Sequence, residues 1–273
     1  MWAIFEREFM QHAVLAGLCA GVSCGLVGVF VVTMHLSMLG ICIAHAAFAG
    51  AMLGVWMGFD PILGALAFSF AAAAFVGPLA DRGQLNPDSA VGIVFSLMLG
   101  LAFLFAGLTP GSKAQALGLF WGNILTVSTA DLVYLIAVTA ALVTLLALFF
   151  KEIQAVVCHR RVAFAVGIPA TLVFYGLLFA TGVTVAVSLR TVGGLLIYSL
   201  LLNPAAAALQ LTFSLRRMFV LAAVFGVFSC WIGLTGSYLW DLPTGASIVI
   251  ASSLIFAAAL AVSPKRRMTS WRR

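Results

Sequence analysis

Nine apolar runs of about 20 residues, each long enough to cross ~30 Å of hydrocarbon as a helix, dominate this chain. They can be read at about 10–32, 36–58, 61–80, 88–108, 130–150, 163–186, 188–212, 216–239 and 244–262. The runs are continuous rather than alternating, with Gly and Ala throughout. In hydrocarbon every backbone N–H and C=O must be satisfied internally, so continuous runs point to helices rather than to a barrel. Only 8% of the residues are charged and the mean hydropathy is +1.18, which leaves too little polar surface to coat a soluble globule. The reading is an all-α polytopic membrane protein with about nine transmembrane helices, eight to ten being possible. The first run follows Glu6 and Glu8 and lacks the short core and cleavage site of a signal peptide, so it reads as a retained span.

The basic residues set the orientation. Lys265, Arg266, Arg267, Arg272 and Arg273 crowd the C-terminal tail, which argues for a cytoplasmic C-terminus. Counting back through nine spans puts Arg82, Lys151, Arg160, Arg161, Arg216 and Arg217 on the same side and leaves Arg7, Lys113 and Arg190 outside. A formal charge of +6 distributed in this way reports topology and not nucleic-acid binding. Cys19, Cys24, Cys42, Cys158 and Cys230 have no metal-knuckle spacing, and four of them fall inside spans, so no disulfide framework is expected.

Small residues recur every four positions at Gly17, Gly21 and Gly25, and again at Gly50, Gly54 and Gly58. Such ridges let helix backbones approach closely, and the two ridges could pack on each other. Ser128 and Asp131 have the spacing of an N-cap with its reciprocal partner. Residues 109–129 are too short and too Gly-rich to cross; they read as an outer loop or an interfacial segment, with Trp121 suited to the interface. The stretch from Lys151 to Pro169 is polar and then amphipathic, and Gly167 followed by Pro169 marks a helix stop and a new start. Pro204 cannot donate to the carbonyl of Leu200, so it should kink or unwind its helix beside Asn203. His45 is the one histidine set deep in an apolar run.

Taken in order, GLVGVFVV before LSMLGICIAHA, then DSAVGIVFSLM, WGNILTVSTADL, Lys151-Glu152, AFAVGIP, RTVGGLLIYSLLLNPAAAALQL and DLPTGASIVIASSLIF make the chain resemble the permease subunits of bacterial ABC importers for zinc, manganese or iron(II). The resemblance extends over nearly the whole length. It implies a type II ABC importer-like fold, a single transmembrane permease domain over 1–273 in the bacterial inner membrane, and a homodimer with the cargo path near its two-fold axis. It also implies an outer interfacial segment at 109–129 and a cytoplasmic coupling region at 151–168, in which Arg161, Ala163, Phe164 and Gly167 would meet the ATPase. The sequence contains no G-x-x-x-x-G-K-[ST] loop, so ATP hydrolysis falls to separate ABC ATPase subunits, and capture falls to an extracytoplasmic metal-binding receptor. No permanently bound cofactor and no nucleic acid are implied; the metal ion is cargo, and lipid and a second copy of the chain are the remaining partners.

One departure stands out. The family places an aspartate directly after the glycine of this motif and a histidine four residues later; here Ile41 follows Gly40 and only His45 remains. Met38, Cys42, His45 and Met52 fall on one side of a helix at i, i+4, i+7 and i+14. Thioether, thiol and imidazole suit zinc or copper(I) better than manganese, which makes Met38, Cys42 and His45 candidate metal ligands. Met52, Asn203 and Pro204 are further candidates for the translocation path. The readings left open are a divalent-metal importer, an ABC permease for a metal chelate or another small solute, and a secondary transporter. The last is disfavoured because all eight acidic residues lie at or beyond span ends.

Overall fold

The computed structural model describes residues 8–82, 87–109 and 124–265. They form ten α-helices and one 3₁₀ turn, with no strand among the described residues. In chain order these are α1 Glu8–Thr33, α2 Ser37–Met57, α3 Pro61–Arg82, α4 Pro87–Leu108, the 3₁₀ turn Ile124–Thr126, α5 Thr129–Leu148, α6 Phe150–Ala165, α7 Ala170–Val192, α8 Gly194–Leu211, α9 Leu215–Trp240 and α10 Thr244–Val262. Seven of them, α1, α2, α4, α5, α7, α9 and α10, are long and apolar enough to cross a membrane; α3 and α8 contribute shorter apolar helices.

Two expected spans begin later than the sequence reading set them, for one reason. Gly167 takes φ +86° and Gly193 takes φ +93°, backbone conformations that end a helix and that L-residues with a Cβ avoid. The span expected at 163–186 therefore starts at Ala170, and that expected at 188–212 starts at Gly194.

α1 runs through the middle of the bundle. Its small ridge lies on α9, where a Cβ at Gly21 would meet the Gly226 backbone at 2.6 Å, and Gly28 lets the Leu201 carbonyl oxygen of α8 come closer still to where a Cβ would stand. The ridge of α2 lies on α3 instead, through Gly50 against Gly64. The two ridges thus have separate partners and do not face one another, a choice that helical periodicity alone leaves undetermined.

Polar contacts collect at the two ends. At one end the Arg190 guanidinium lies 3.4 Å from Asp131 and 3.8 Å from Asp60, tying the end of α7 to the start of α5 and to the α2–α3 turn. Ser128 caps α5 as its spacing predicts: its Oγ accepts from the Asp131 N–H at 3.2 Å and donates to the Asp131 carboxylate at 2.6 Å. At the other end the Lys265 ammonium donates to the Leu209 carbonyl and lies over the Phe213 ring, fastening the chain after α10 to the end of α8. Trp121, most of the 109–129 segment and Arg266 to Arg273 lie outside the described residues.

Candidate translocation site

α1 ends in a hydrogen-bonded stop in which Leu36 N–H donates to Val31 O and His35 N–H to Val32 O. His35 occupies the left-handed position, φ +57°, that glycine usually fills. This tight reversal starts α2 at Ser37 and fixes the register of the candidate stripe. Along it Met38 is 58% exposed, Cys42 and Met52 are fully enclosed, and Ile41 and His45 are half-buried on the open side. The stripe is therefore split: Cys42 points into the protein core, Met38 points away from it, and His45 borders both.

The His45 ring is held at two places. Its Nδ1 lies 2.9 Å from the Ile41 carbonyl oxygen, and Phe95 of α4 packs edge-to-face against it at 4.8 Å between centroids. A carbonyl oxygen can only accept, so Nδ1 carries the proton and Nε2 keeps its lone pair. Metal-ligating histidines are oriented by this kind of backbone hydrogen bond. No group of three or more His, Cys, Asp or Glu residues occurs together among the described residues, so one protomer offers a cation only a partial donor set.

On α8, Asn203 faces α10. Its Nδ2 lies 3.0 Å from Ser199 Oγ, 3.0 Å from Ser252 Oγ and 3.1 Å from Ser253 Oγ, and Ser199 and Ser252 are 2.8 Å apart. Of the kink or unwinding that Pro204 suggested, unwinding does not occur, because the helix is continuous from Gly194 to Leu211. The Asn203 bridge on one side and the Gly28–Leu201 contact on the other brace α8 across that point. The i,i+4 pair Ser199 and Asn203 and the doublet Ser252-Ser253 are visible in the sequence, but only the fold brings them together.

The coupling candidates lie on and just after α6, which breaks at His159 (φ −151°, ψ +82°) into two pieces. In the second piece Ala163 is enclosed against Val156 and Ala170, whereas Phe164 is 71% exposed between the similarly open Val162 and Val166. Gly167 N–H donates to Phe164 O and Ile168 N–H to Ala163 O, the glycine-capped stop expected there. The Arg161 side chain lies outside the described residues; its neighbour Arg160 stacks on Phe174 at 4.3 Å.

A bundle whose described residues are helical, with a polar seam between α8 and α10 and an exposed apolar knob after the His159 break, has the parts of a driven transporter. The sequence model of the ABC 3 transport family matches residues 6–263. The chain belongs to that family. Membership makes it the membrane permease of an ABC transport system. It is 31% identical over 263 residues to the manganese transport system membrane protein MntC of Listeria monocytogenes, covering 96% of this chain and 94% of the relative. It is 29% identical over 257 residues to the chelated iron transport system membrane protein YfeD of Yersinia pestis, covering 94% and 86%. Among solved structures it is similar to PsaBC from Streptococcus pneumoniae in complex with Fab, with a TM-score of 0.91, 28% identity and full coverage of both chains.

Proposed function

We propose that this chain is the permease subunit of an ATP-driven importer for a divalent transition-metal ion, manganese, iron(II) or zinc. In this reading nine helices, α1 to α5 and α7 to α10, cross the inner membrane with the C-terminus in the cytoplasm. The meeting of Asp60, Asp131 and Arg190 at one end and of Lys265 with α8 at the other supports that arrangement. ATP is hydrolysed by separate subunits that dock on the Phe164 knob, an extracytoplasmic receptor delivers the ion, and two copies of the permease form the path.

The observation that carries the reading is the half-buried His45, whose Nδ1 is engaged by Ile41 O so that Nε2 keeps a lone pair at membrane depth. A single nitrogen binds weakly, and weak binding serves a path from which the ion must also leave. Ile41 in place of the family's aspartate gives weight to a second reading, an ABC permease for a metal chelate, since a chelate brings its own ligands and needs fewer from the protein. The permease, its ATPase and its receptor, reconstituted in vesicles and offered zinc, manganese, iron(II) and copper(I) singly and chelated, distinguish the two by elemental analysis of the contents. ATP-dependent accumulation of a free ion is the expected result; accumulation only with the chelator moves the assignment to the second reading, and accumulation of neither overturns both.

A further inference from the structure

An apolar groove runs along the first turns of α7, beginning at the exposed Phe164. Its volume is about 680 Å³, and Phe164, Pro169, Leu172, Tyr175, Gly176 and Phe179 wall it. Helix geometry accounts for the shape: Leu172, Tyr175, Gly176 and Phe179 recur at i, i+3, i+4 and i+7, which places them on one face of α7. Gly176 leaves a gap in the middle of that face, since a Cβ there would meet nothing within 4 Å. Leu172 is 73% exposed and Phe164 71%, so the face stays open within the protomer.

The groove has the depth of one leaflet. From Ala170, which opens both α7 and the groove, to Phe179 at its far end, the helix axis rises about 14 Å, close to half of the ~30 Å of hydrocarbon in a bilayer. A cation stands at the surface end. The Arg160 guanidinium lies 4.3 Å over the Phe174 ring, and that ring meets the groove residue Tyr175 edge-on, 5.7 Å between centroids. Arg160 also precedes Phe164 by four residues in the short helical piece after His159, the spacing that puts two side chains on one face. The ion pairs among the described residues are both made by Arg190, so Arg160 is exposed with no carboxylate beside it. A cation at the membrane surface above an apolar, leaflet-deep groove is complementary to an amphiphile with an anionic head and a hydrocarbon tail.

We propose that this groove binds an anionic phospholipid of the adjoining leaflet, its phosphate on the Arg160 guanidinium and an acyl chain laid along α7 between Phe164 and Phe179. The planar fork of a guanidinium matches phosphate oxygens, and the half-buried Tyr175, with an apolar ring and a polar tip, suits the boundary between head and tail. The volume falls within the roughly 300–1,000 Å³ of small-ligand sites, which separates this groove from a flat lipid-facing helix surface. The inference requires only that α7 spans a membrane and is independent of the cargo; in the orientation proposed above the leaflet is the cytoplasmic one. A soluble subunit that meets the outer end of Phe164 does not reach to Phe179 at hydrocarbon depth, whereas a lipid tail does, and it braces the Phe164 ring from the membrane side.

Native mass spectrometry of the whole permease–ATPase complex tests the site, with the complex released from vesicles of equal phosphatidylglycerol and phosphatidylcholine bearing the same chains. Phosphatidylglycerol should be retained several-fold over phosphatidylcholine. Arg160→Gln should bring the two lipids to parity without emptying the groove. Gly176→Leu, which adds bulk where there is open space, should lower retention of both several-fold. Equal retention of the two lipids by the unaltered complex, a preference unchanged in Arg160→Gln, or retention unchanged in Gly176→Leu each overturns the site. Displacement of phosphatidylglycerol by excess inorganic phosphate also overturns it, because Arg160 then serves a free anion and the tail contributes nothing. In membranes, p-benzoylphenylalanine placed at Leu172 should give lipid adducts on irradiation; an adduct with the ATPase subunit instead makes the groove a protein contact and overturns the lipid assignment. None of these measurements reads metal uptake, so failure of the lipid site and failure of the importer reading are seen separately.

Discussion

His45 Nδ1 lies 2.9 Å from the carbonyl oxygen of Ile41, so the residue standing where related permeases carry a carboxylate also orients the imidazole. Both side chains are half-buried on the same open side of α2, one turn apart. An Ile41→Asp change keeps the carbonyl contact and adds an oxygen ligand one turn from Nε2. A carboxylate at the centre of a membrane helix costs about 3 kcal/mol when unpaired, a cost that a bound cation offsets. The expected result is a several-fold lower half-saturation concentration for manganese in vesicle uptake, together with reduced permease yield in its absence. An unchanged manganese dependence would show that position 41 does not face the path.

Removing the imidazole and removing the thiol should have opposite consequences. His45→Ala should lower ATP-dependent metal uptake at least tenfold while leaving the complex assembled, because the ring borders the open side and its loss vacates little of the core. Cys42 is fully enclosed even in the single protomer, so Cys42→Ser should leave the order of preferred ions unchanged and shift uptake by less than twofold. Its effect should fall on stability instead, on the order of 1–2 kcal/mol for a hydroxyl introduced into an apolar site, read as a lower Tm of the purified permease. A change of metal preference in Cys42→Ser would restore the thiol as a ligand.

The sequence displays the helices because hydrocarbon imposes their length, and the start of α5 and the stop after α6 were legible from Ser128 and Gly167. What it does not display is pairing. Gly17, Gly21 and Gly25 announce a close contact, but only the fold assigns it to α9, since any small-residue ridge can accept any other. The candidate site was half legible: His45 stands out as a lone histidine in an apolar run, while its neighbour Phe95 and the Ser199–Asn203–Ser252 cluster lie up to 53 residues apart in the chain and look like ordinary span residues. Helical spacing placed Met38, Cys42 and Met52 near His45 on a wheel, yet it could not show that the fold encloses two of them and leaves the third open.

Close backbone contact makes α1 intolerant of even a methyl group. A Cβ at Gly21 would come within 2.6 Å of the Gly226 backbone, whereas one at Gly176 would meet nothing within 4 Å. Gly21→Ala must push α1 and α9 apart, an overpacking cost of about 1–3 kcal/mol, and should lower both the Tm and the yield of folded permease. Gly176→Ala serves as the matched control and should leave both measurements unchanged. Equal behaviour of the two variants in a thermal unfolding series would contradict the packing of α1 on α9.

Phe164 and Ala163 are adjacent in sequence and opposite in environment: Ala163 is 1% exposed beneath the loop and Phe164 71% exposed upon it. The enclosed alanine anchors the short helix after His159 against Val156 and Ala170, which holds the aromatic ring outward with little freedom to fold back. In the importer proposed above, this exposed apolar side chain is the contact for the nucleotide-hydrolysing subunit. Phe164→Asp should leave the fold intact, since the position is open, yet reduce co-purification of the ATPase at least tenfold, because a carboxylate entering an apolar pocket must be desolvated without compensation. Ala163→Leu should act by a different route, displacing the helix and lowering permease yield as well as ATPase binding. If Phe164→Asp retained a full complement of ATPase and normal uptake, the coupling contact would lie elsewhere on the permease.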